Sequence, residues 1–480
     1  MTGLKMKKPV VLLVKSRSRG LKVPNAVPPL GILYLAASLR ARLGAEVRLL
    51  DAYFEPAAEG AVRAAVRELR PDAVGFSCLT AEYPLALKMA AAAKGESPGL
   101  PVLLGGPHPT SDPEGVLRDG ADAAVIGEGE ETLVELVRLI VSEGPGWRAP
   151  GLLRGVPGLA FRAEGKTEFS APRPPIQDLD ALPFPAWDLL DYRRYWQVSG
   201  MSTMGKRAYL PLTTSRGCPY HCVFCHRIFG KAFRARSPES VAQEAALIKK
   251  LGAGHLEFYD DIANLDAPRF ARILELLAAR GPDLALSFPN GLRADLLDEP
   301  QIDLLKRAGA REVSVAVETA VPRLQKMLDK NLSLEKTTRA INLLADRRIF
   351  TRGFFMLGLP TETAAEMMET IRYAHRSRLH MAFFFTPNPY PGTELYEMFA
   401  KAGRLPAGAS AADYEYHAAP FNASEMSDLE YRMLYKWAFL GFFLNPARMY
   451  RAARDGGFGW DMPLRGWQLL RNSISFGHRH

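Results

Sequence analysis

The sequence has few cysteines, no long apolar run and no block of basic residues. Only four of its 480 residues are cysteine, which argues against the disulfide framework of small secreted domains. No stretch of about 18 consecutive apolar residues occurs, so no membrane-spanning helix is expected. The formal net charge is +9, but the basic residues are dispersed without runs of about five or six, so nucleic-acid binding is not expected.

The length and composition indicate a large globular protein. A chain of 480 residues exceeds what one hydrophobic core usually supports, so two or three domains are expected. Apolar residues make up 48% and charged residues 24%, which excludes a disordered chain. The first apolar run spans only residues 9–14, which predicts a strand and not a signal peptide. Few, reduced cysteines predict a cytoplasmic protein.

Three of the four cysteines lie in one short segment. Cys218, Cys222 and Cys225 have the spacing Cys-x3-Cys-x2-Cys, which is typical of a metal site. Three thiolates are one ligand short of the set that holds an ordinary iron–sulfur cluster, so one iron would stay open to a small molecule. Zinc is the alternative, and it would need a fourth ligand such as His221 or His226.

Apolar segments alternate with helix-length segments through the first 143 residues. Strands are predicted at residues 10–14, 47–50, 73–77, 102–104 and 123–126. This alternation predicts a doubly wound parallel α/β sheet, which binds ligands at the carboxyl ends of its strands. Glycines that let the backbone approach a bulky ligand follow the last two strands. Cys78, after the third strand, is predicted to be a small buried residue.

A second alternation begins near residue 208. Its strands are predicted at residues 209–214, 256–259, 284–288, 313–317, 354–357 and 382–386. Six such units predict an incomplete βα barrel with its active site at the carboxyl ends of the strands. Polar residues follow several of these strands, and together they favour one shared site.

These patterns divide the chain into four parts. The α/β domain spans residues 1–145, a linker with a small hairpin spans 146–205, the barrel spans 206–420, and a helical extension spans 421–480. The extension contains an unusually aromatic segment at residues 435–444. Such a helix usually packs on its own barrel, and a membrane-facing or lipid-facing surface is the alternative.

The cysteine loop after the first barrel strand resembles the hallmark of the radical S-adenosylmethionine superfamily, and the resemblance extends over most of the chain. It implies that Cys218, Cys222 and Cys225 ligate a [4Fe–4S] cluster whose open iron binds S-adenosylmethionine. The residues implied to bind S-adenosylmethionine are Phe224, Asp260, Asp261, Arg293 and Glu318. Helix caps and surface ion pairs are the alternative roles for the charged members of this set.

The first domain resembles the flavodoxin-like cobalamin-binding domain that precedes many radical S-adenosylmethionine barrels. The residues implied to bind cobalamin are Leu30, Gly105, Gly106, His108, Gly127, Glu128, Gly129 and Glu130. The signature Asp-x-His-x-x-Gly is absent, so cobalamin is expected without a histidine below the cobalt, and His108 is expected to cap or pack in its loop. A domain that no longer binds cofactor is the alternative.

Together the resemblances imply a cobalamin-dependent radical S-adenosylmethionine methyltransferase. In that family a 5′-deoxyadenosyl radical takes a hydrogen atom from an unactivated carbon, and methylcobalamin supplies the methyl group. The implied partners are a small-molecule or lipid-like substrate and an external one-electron reductant of the flavodoxin or ferredoxin type.

Three alternatives to methyl transfer stay open. Residues 225–237 look like the corresponding segment of anaerobic magnesium-protoporphyrin ester cyclases, so oxidative cyclisation of a porphyrin-type substrate is the runner-up. A methylthiotransferase acting on RNA is disfavoured, because that family has three further cysteines in its N-terminal domain and Cys78 stands alone. A non-catalytic cobalamin or redox sensor is the third, and the polar strand ends argue against it.

Overall fold

The computed structural model describes residues 7–17, 26–198, 200–203, 207–225, 228–281, 283–405 and 422–456. The N-terminal domain is built on one seven-stranded sheet. Its strands are β1 Val10–Lys15, β2 Glu46–Asp51, β3 Ala73–Ser77, β4 Val102–Gly105, β5 Ala123–Val125, β6 Leu159–Ala163 and β7 Lys166–Phe169. The spatial order is β2-β1-β3-β4-β5-β6-β7, and the first five strands are parallel. This order confirms the doubly wound arrangement, with its switch point between β1 and β3.

The hairpin predicted in the linker is present, and it extends this sheet. β6 and β7 pair antiparallel through a turn at Glu164 and Gly165, where both residues have positive φ. β6 also pairs antiparallel with β5. The N-terminal sheet therefore continues to Phe169, into the segment that the sequence assigns to the linker.

Helices cover both faces of the N-terminal sheet. They are α1 Leu30–Leu43, α2 Ala58–Leu69, α3 Tyr83–Glu96, α4 Pro107–Ser111, α5 Pro113–Arg118, α6 Gly129–Glu143 and α7 Pro150–Leu153. Alternate strand residues face opposite sides. Leu13 joins one apolar cluster with α1 and α6, whereas Leu12 joins another with α2 and α3. Cys78 belongs to the second cluster and is 1% exposed, as predicted.

The second domain is an open barrel of six parallel strands. They are β8 Tyr209–Leu212, β11 His255–Phe258, β12 Ala285–Leu292, β13 Ala310–Glu318, β14 Phe350–Met356 and β15 Met381–Phe385. Their spatial order equals their chain order, with β8 and β15 at the two edges. A separate antiparallel ribbon, β9 Ser215–Arg216 and β10 Arg234–Ala235, follows β8. The incomplete barrel predicted from the sequence is thereby confirmed.

Capped helices surround this barrel. They are α8 Pro238–Lys250, α9 Ala267–Ala278, α10 Glu299–Arg307, α11 Pro322–Met327, α12 Leu334–Asp346, α13 Ala364–Arg376, α14 Glu394–Lys401, α15 Asp428–Phe443 and α16 Pro446–Asp455. Ser, Thr or Asp side chains accept a backbone N–H at several helix starts; at α13, Thr363 and Glu366 form a reciprocal capping box. In the described part of the chain, no helix is both long and apolar enough to cross a membrane.

Helix α1 joins the two domains. Its residues Ile32 and Ala36 pack on the N-terminal sheet, whereas Leu30, Leu33 and Tyr34 belong to the main apolar cluster of the barrel. One helix therefore buries apolar residues against both domains, which brings the carboxyl edges of the two sheets near each other.

Candidate functional site

The cysteine loop leaves the barrel through the β9–β10 ribbon. Gly217 follows β9 with φ +83°, and a Cβ at this position would collide with the carbonyl oxygen of Ala232. Only glycine fits such a turn. The N–H of Cys218 donates to the carbonyl of Gly230 at 3.3 Å, and the N–H of Val223 donates to the carbonyl of Leu328 at 3.1 Å. The backbone of the loop is therefore fixed at its base and at its middle.

The three thiols affect one another's ionisation. Burial raises the pKa of Cys218, Cys222 and Cys225. The pKa of Cys225 rises to about 12, chiefly through burial and further through repulsion from Cys222, Asp261 and Cys218. Lys330 opposes the rise at all three thiols. A bound metal would supply the positive charge that thiolates need. Clustered thiols beside a cation fit an iron–sulfur cluster by donor chemistry.

The described residues hold no preassembled metal site. They contain no group of three or more His, Cys, Asp or Glu side chains already arranged around one metal position. For the zinc alternative, Nδ1 of His221 lies 3.3 Å from Nζ of Lys231, and His226 lies outside the described residues. The three cysteines as cluster ligands stay a prediction of the sequence.

The acidic pair after β11 holds the start of the cysteine loop. Buried Asp260 accepts hydrogen bonds from the N–H and hydroxyl of Thr214 and from the hydroxyl of Ser215, at 2.9, 2.7 and 2.6 Å. Asp261 accepts from the N–H of Gly217 at 3.2 Å. Both carboxylates are thus near the loop that the sequence places them beside. Oδ2 of Asp260 is buried without a partner among the described residues, so it retains capacity to accept from a ligand.

Arg293 stacks on the cysteine loop. Its guanidinium lies 3.6 Å from the ring centroid of Tyr220, pairs with Asp295 at 3.0 Å and donates to the carbonyls of Lys330 and Asn331. The side chain is held in one orientation by these contacts, and its charge lowers the thiol pKa values of Cys218 and Cys222. The predicted contact with S-adenosylmethionine stays a prediction.

Glu318 ends β13 beside the same loop. It has φ +64°, an uncommon conformation for a residue with a side chain, and its carboxylate lies 3.4 Å from Nζ of Lys330. Nζ of Lys330 lies 5.9 Å from the ring centroid of Phe224. The predicted S-adenosylmethionine residues Glu318 and Phe224 therefore both lie near one lysine.

The predicted cobalamin loops form a cradle with an unpaired nitrogen. A Cβ at Gly106 would lie 3.0 Å from Oγ of Ser77, so the backbone there has no room for a side chain. His108 is buried, and its ring centroid lies 4.2 Å from that of Tyr83 at a tilt of 38°. Its Nε2 has no hydrogen-bond partner among the described residues. Burial lowers the pKa of His108. A buried orphan nitrogen beside a glycine turn fits a domain that binds a large cofactor.

The carboxylates of the second glycine loop, residues 127–130, pair with arginines. Glu128 and Glu130 form buried ion pairs with Arg234 and Arg216, at 2.8 and 2.6 Å. The family resemblance implies that both glutamates bind cobalamin. The sequence does not reveal these partners, because Arg234 lies 106 residues from Glu128 and Arg216 lies 86 residues from Glu130.

Sequence reasoning also missed an aromatic lining inside the barrel. Phe354, Phe383 and Phe385 are partly exposed, whereas Phe355 and Phe384 between them are buried in the outer core. The three partly exposed rings lie with centroids 5.7–6.0 Å apart. Alternation along β14 and β15 was the available signal, since inward and outward residues alternate in a barrel strand.

The extension packs on the barrel through one face. Tyr435 and Phe442 of α15 lie in the barrel's apolar cluster, and the hydroxyl of Tyr435 donates to the carbonyl of Phe384 at 2.7 Å. On the other face, Met433 and Trp437 are 64% and 51% exposed. Packing on the barrel is therefore observed for one face, and membrane contact of the other stays a prediction.

Comparison with known proteins finds two family models that match separate parts of the chain. The family model described as "B12 binding domain" matches residues 17–137, and the model "Radical SAM superfamily" matches residues 212–374. Cobalamin, a [4Fe–4S] cluster and S-adenosylmethionine are therefore the cofactors. The solved structure of the radical S-adenosylmethionine methyltransferase TsrM from Kitasatospora setae, with cobalamin and a [4Fe–4S] cluster bound, has the same fold. Its TM-score is 0.71 at 20% identity, over 93% of this chain and 90% of that one.

Two curated relatives are similar over most of their lengths. An uncharacterized methyltransferase of Pyrococcus horikoshii is 30% identical over 424 residues, which cover 87% of this chain and 88% of the relative. The anaerobic magnesium-protoporphyrin IX monomethyl ester cyclase of Rubrivivax gelatinosus is 31% identical over 385 residues, 79% of this chain and 68% of the relative. The chain therefore belongs to the family of cobalamin-dependent radical S-adenosylmethionine methyltransferases, to which these cyclases are related.

Proposed function

We propose that this enzyme methylates an unactivated carbon of an apolar, ring-containing small molecule that inserts into the barrel. The observation that carries the proposal is the lining formed by Phe354, Phe383 and Phe385. Aromatic rings bind apolar and flat groups through large contact areas and offset stacking. Phe354 and Phe383 are register partners on neighbouring strands, so they present adjacent ring surfaces to the same volume.

We infer that a polar floor closes the amino-terminal end of the barrel below these rings. We use this name for residues 200–203 together with Glu312 and Arg352. Arg352 donates to the carbonyl of Met201 at 2.8 Å, and Thr203 donates from its N–H and its hydroxyl to Glu312 at 3.1 and 2.8 Å. With the amino-terminal end closed, a substrate has to enter from the carboxyl ends of the strands, where the cysteine loop lies.

The floor leaves little unpaired charge for a polar substrate. Arg352 is paired with Glu312 at 3.2 Å and bonded to Ser314 at 2.7 Å. Its guanidinium lies 5.6 and 5.7 Å from the ring centroids of Phe354 and Phe383. A paired cation beneath an aromatic wall favours an electron-rich or hydrocarbon ring over an anionic group.

The cofactors, when bound, supply the radical and the methyl group. Cys218, Cys222 and Cys225 would hold the cluster, and Arg293 and Glu318 would orient S-adenosylmethionine. The chain's own contribution would be to hold the substrate carbon in place and to keep water from the reacting groups, roles that suit the floor and the apolar wall.

Transfer of a labelled methyl group tests the proposal. The full-length, reconstituted protein is supplied with methyl-labelled S-adenosylmethionine, a one-electron reductant and an organic-solvent extract of the source cells. Label is expected in an apolar product, together with S-adenosylhomocysteine and 5′-deoxyadenosine, because two S-adenosylmethionine molecules have different roles. The double variant Phe383→Ala, Phe385→Ala should lose labelling far more than uncoupled release of 5′-deoxyadenosine.

A matched control is available in the N-terminal sheet. Phe169 is 53% exposed and lies outside the barrel, so Phe169→Ala should label product at the unaltered rate. Equal labelling by the double variant and by the control would refute the lining as the substrate site.

Oxidative cyclisation is the second candidate, favoured by the 31% identity to the Rubrivivax gelatinosus cyclase. It makes a product without label and releases 5′-deoxyadenosine without S-adenosylhomocysteine. That result would refute methyl transfer while leaving the aromatic lining as the substrate site.

A further inference from the structure

The base of the cysteine loop carries two arginines on one side of a ribbon. Arg216 of β9 and Arg234 of β10 are direct register partners, so their side chains share one face. The residues between them, 217–233, form the loop with the three cysteines. Any group that fixes both guanidinium groups therefore fixes both ends of the cysteine loop.

The fixing groups come from the other domain. Glu128 binds Arg234 at 2.8 Å and lies 3.5 Å from Arg216, and it also accepts from the N–H of Ile176 at 2.7 Å. Glu130 accepts from Arg216 at 2.6 Å. These four side chains, two cations and two anions, form what we call the interdomain ion network.

The interdomain ion network is sealed from solvent. Its four side chains are between 4% and 8% exposed, and the guanidinium of Arg216 lies 5.6 Å from the ring centroid of Tyr34 and 5.2 Å from that of Phe229. Buried charges of opposite sign tolerate few alternative arrangements, because any displacement leaves a charge unpaired in a medium of low polarity. The network therefore specifies one relative placement of its two loops.

We infer that Glu128 and Glu130 are positioning residues that lock the cobalamin-binding domain onto the cysteine loop, instead of residues that bind cobalamin. Both carboxylates already pair with arginines of the protein. Those arginines, Arg216 and Arg234, lie at the two ends of the cysteine loop. The inference goes beyond the proposed function, since the cobalt and the cluster must keep one separation whatever the substrate is. A misplacement of about 1 Å can slow a reaction by roughly 100-fold.

The separation of the two metal centres is the direct readout. Pulsed paramagnetic resonance measures the coupling between Co(II) cobalamin and the reduced cluster in the full-length, reconstituted protein. Glu128→Gln and Glu130→Gln remove one charge each and nearly preserve side-chain volume. Both are expected to broaden and shift the cobalt–cluster distance distribution, while iron and cobalamin contents stay at the values of the unaltered protein.

A control variant lies on the same helix. Glu135 pairs with Arg173, which follows β7 and does not belong to the ribbon. Glu135→Gln removes the same charge from α6, and the distance distribution should stay unchanged. Coupled methyl transfer should fall by about 100-fold relative to uncoupled S-adenosylmethionine cleavage in the two network variants only.

Three outcomes would overturn the inference. Loss of bound cobalamin in Glu128→Gln or Glu130→Gln with an unchanged distance in the remaining holoenzyme would make the carboxylates cobalamin residues. An equal shift in Glu135→Gln would indicate a general weakening of α6. An unchanged distance with full cofactor content would show that the network does not set the separation. Glu130→Gln keeps the test decisive if Glu128→Gln fails to fold, because Arg216 also retains Glu128 as a partner.

Discussion

Removing the guanidinium from the polar floor should open the closed end of the barrel. Arg352→Met keeps a long apolar stem in place of the arginine, but it removes every donor of the guanidinium. The groups left behind are the carboxylate of Glu312, which pairs with Arg352 at 3.2 Å, and three acceptors. These are the carbonyls of Met201 and Pro289 and the hydroxyl of Ser314, at 2.8, 3.1 and 2.7 Å. These contacts connect β14, which carries Arg352, to β12, to β13 and to residue 201.

The loss of stability in Arg352→Met follows from the charge of Glu312, which stays buried without its partner. Breaking a buried ion pair by removing one partner costs about 3–5 kcal/mol. Glu312 keeps hydrogen bonds from Ser202 and Thr203, which places the cost of Arg352→Met at the lower end of this range. Adding Glu312→Gln removes the stranded charge, so the double variant should recover about 2 kcal/mol of the loss, since it leaves neutral groups with a smaller desolvation cost.

Amide hydrogen exchange reports this loss where it occurs. A cost of about 3–5 kcal/mol corresponds to roughly 200- to 5,000-fold faster exchange through local opening, at 1.36 kcal/mol per factor of ten. The affected amides should be those of residues 200–203 and β14. The α2–α3 side of the N-terminal domain serves as the internal control, because its apolar cluster is built from residues of that domain.

Two results would refute the reasoning about the floor. Unchanged exchange in Arg352→Met would show that the ion pair with Glu312 does not hold residues 200–203. A double variant that exchanges faster than Arg352→Met alone would show that the stranded charge is not the source of the loss.

Three further predictions follow from single side chains. Cys222→Ala should abolish the cluster. Iron analysis should show the iron content falling from about four irons per chain to nearly none, while the cobalamin content stays unchanged. Burial raises the pKa of Glu362 from 4.5 to about 7, so the folded state binds this proton more tightly than the unfolded state does. Ionisation of Glu362 therefore lowers the free energy of unfolding as pH rises from 4.5 to about 7. Urea denaturation should therefore show Glu362→Gln gaining stability relative to the unaltered protein between pH 5 and pH 8, and a constant difference would contradict this. Phe442→Ala, in the core at 0% exposed, should lose about 3–5 kcal/mol, whereas Trp437→Ala on the exposed face should change stability by less than about 0.5 kcal/mol. The same urea titrations separate these two variants, and equal losses would contradict the packing described for α15.

The sequence predicts the fold well because both domains repeat a local pattern. Each strand is a short apolar run followed by a turn, and most barrel helices begin at a capping side chain such as Ser237, Asp298 or Thr363, so neighbouring residues decide the outcome. The hairpin at Glu164 and Gly165 was predicted for the same reason, since the turn needs positive φ at both positions. Its pairing with β5 was not predicted, because that contact joins segments separated by α6.

The candidate site was predicted only where its residues follow strands directly. Asp260, Asp261 and Arg293 lie beside the cysteine loop as their positions after β11 and β12 imply, because the carboxyl ends of parallel strands share one edge. The structure also gives Asp260 a role that the sequence does not specify, as the acceptor for Thr214 and Ser215. That role needs the three-dimensional approach of β8 and β11.

Long-range ion pairs were beyond sequence reasoning. Arginine has five donors and pairs with a carboxylate anywhere in the fold, so nothing near Arg216 or Arg234 in the chain indicates Glu128 or Glu130. The family resemblance points those glutamates at a cofactor, whereas the structure shows them engaged with protein.

Three sets of contacts restrain the cysteine loop, and each of them includes a charged side chain. Glu128 and Glu130 hold its two ends from the cobalamin-binding domain. Asp260 holds the strand that leads into it, and Arg293 stacks on Tyr220 within it. Apolar packing alone would resist separation but would permit sliding, because the hydrophobic effect has no preferred direction. Charge-assisted hydrogen bonds fix distance and angle together. A loop that must present its metal to two cofactors from two domains needs that directional restraint.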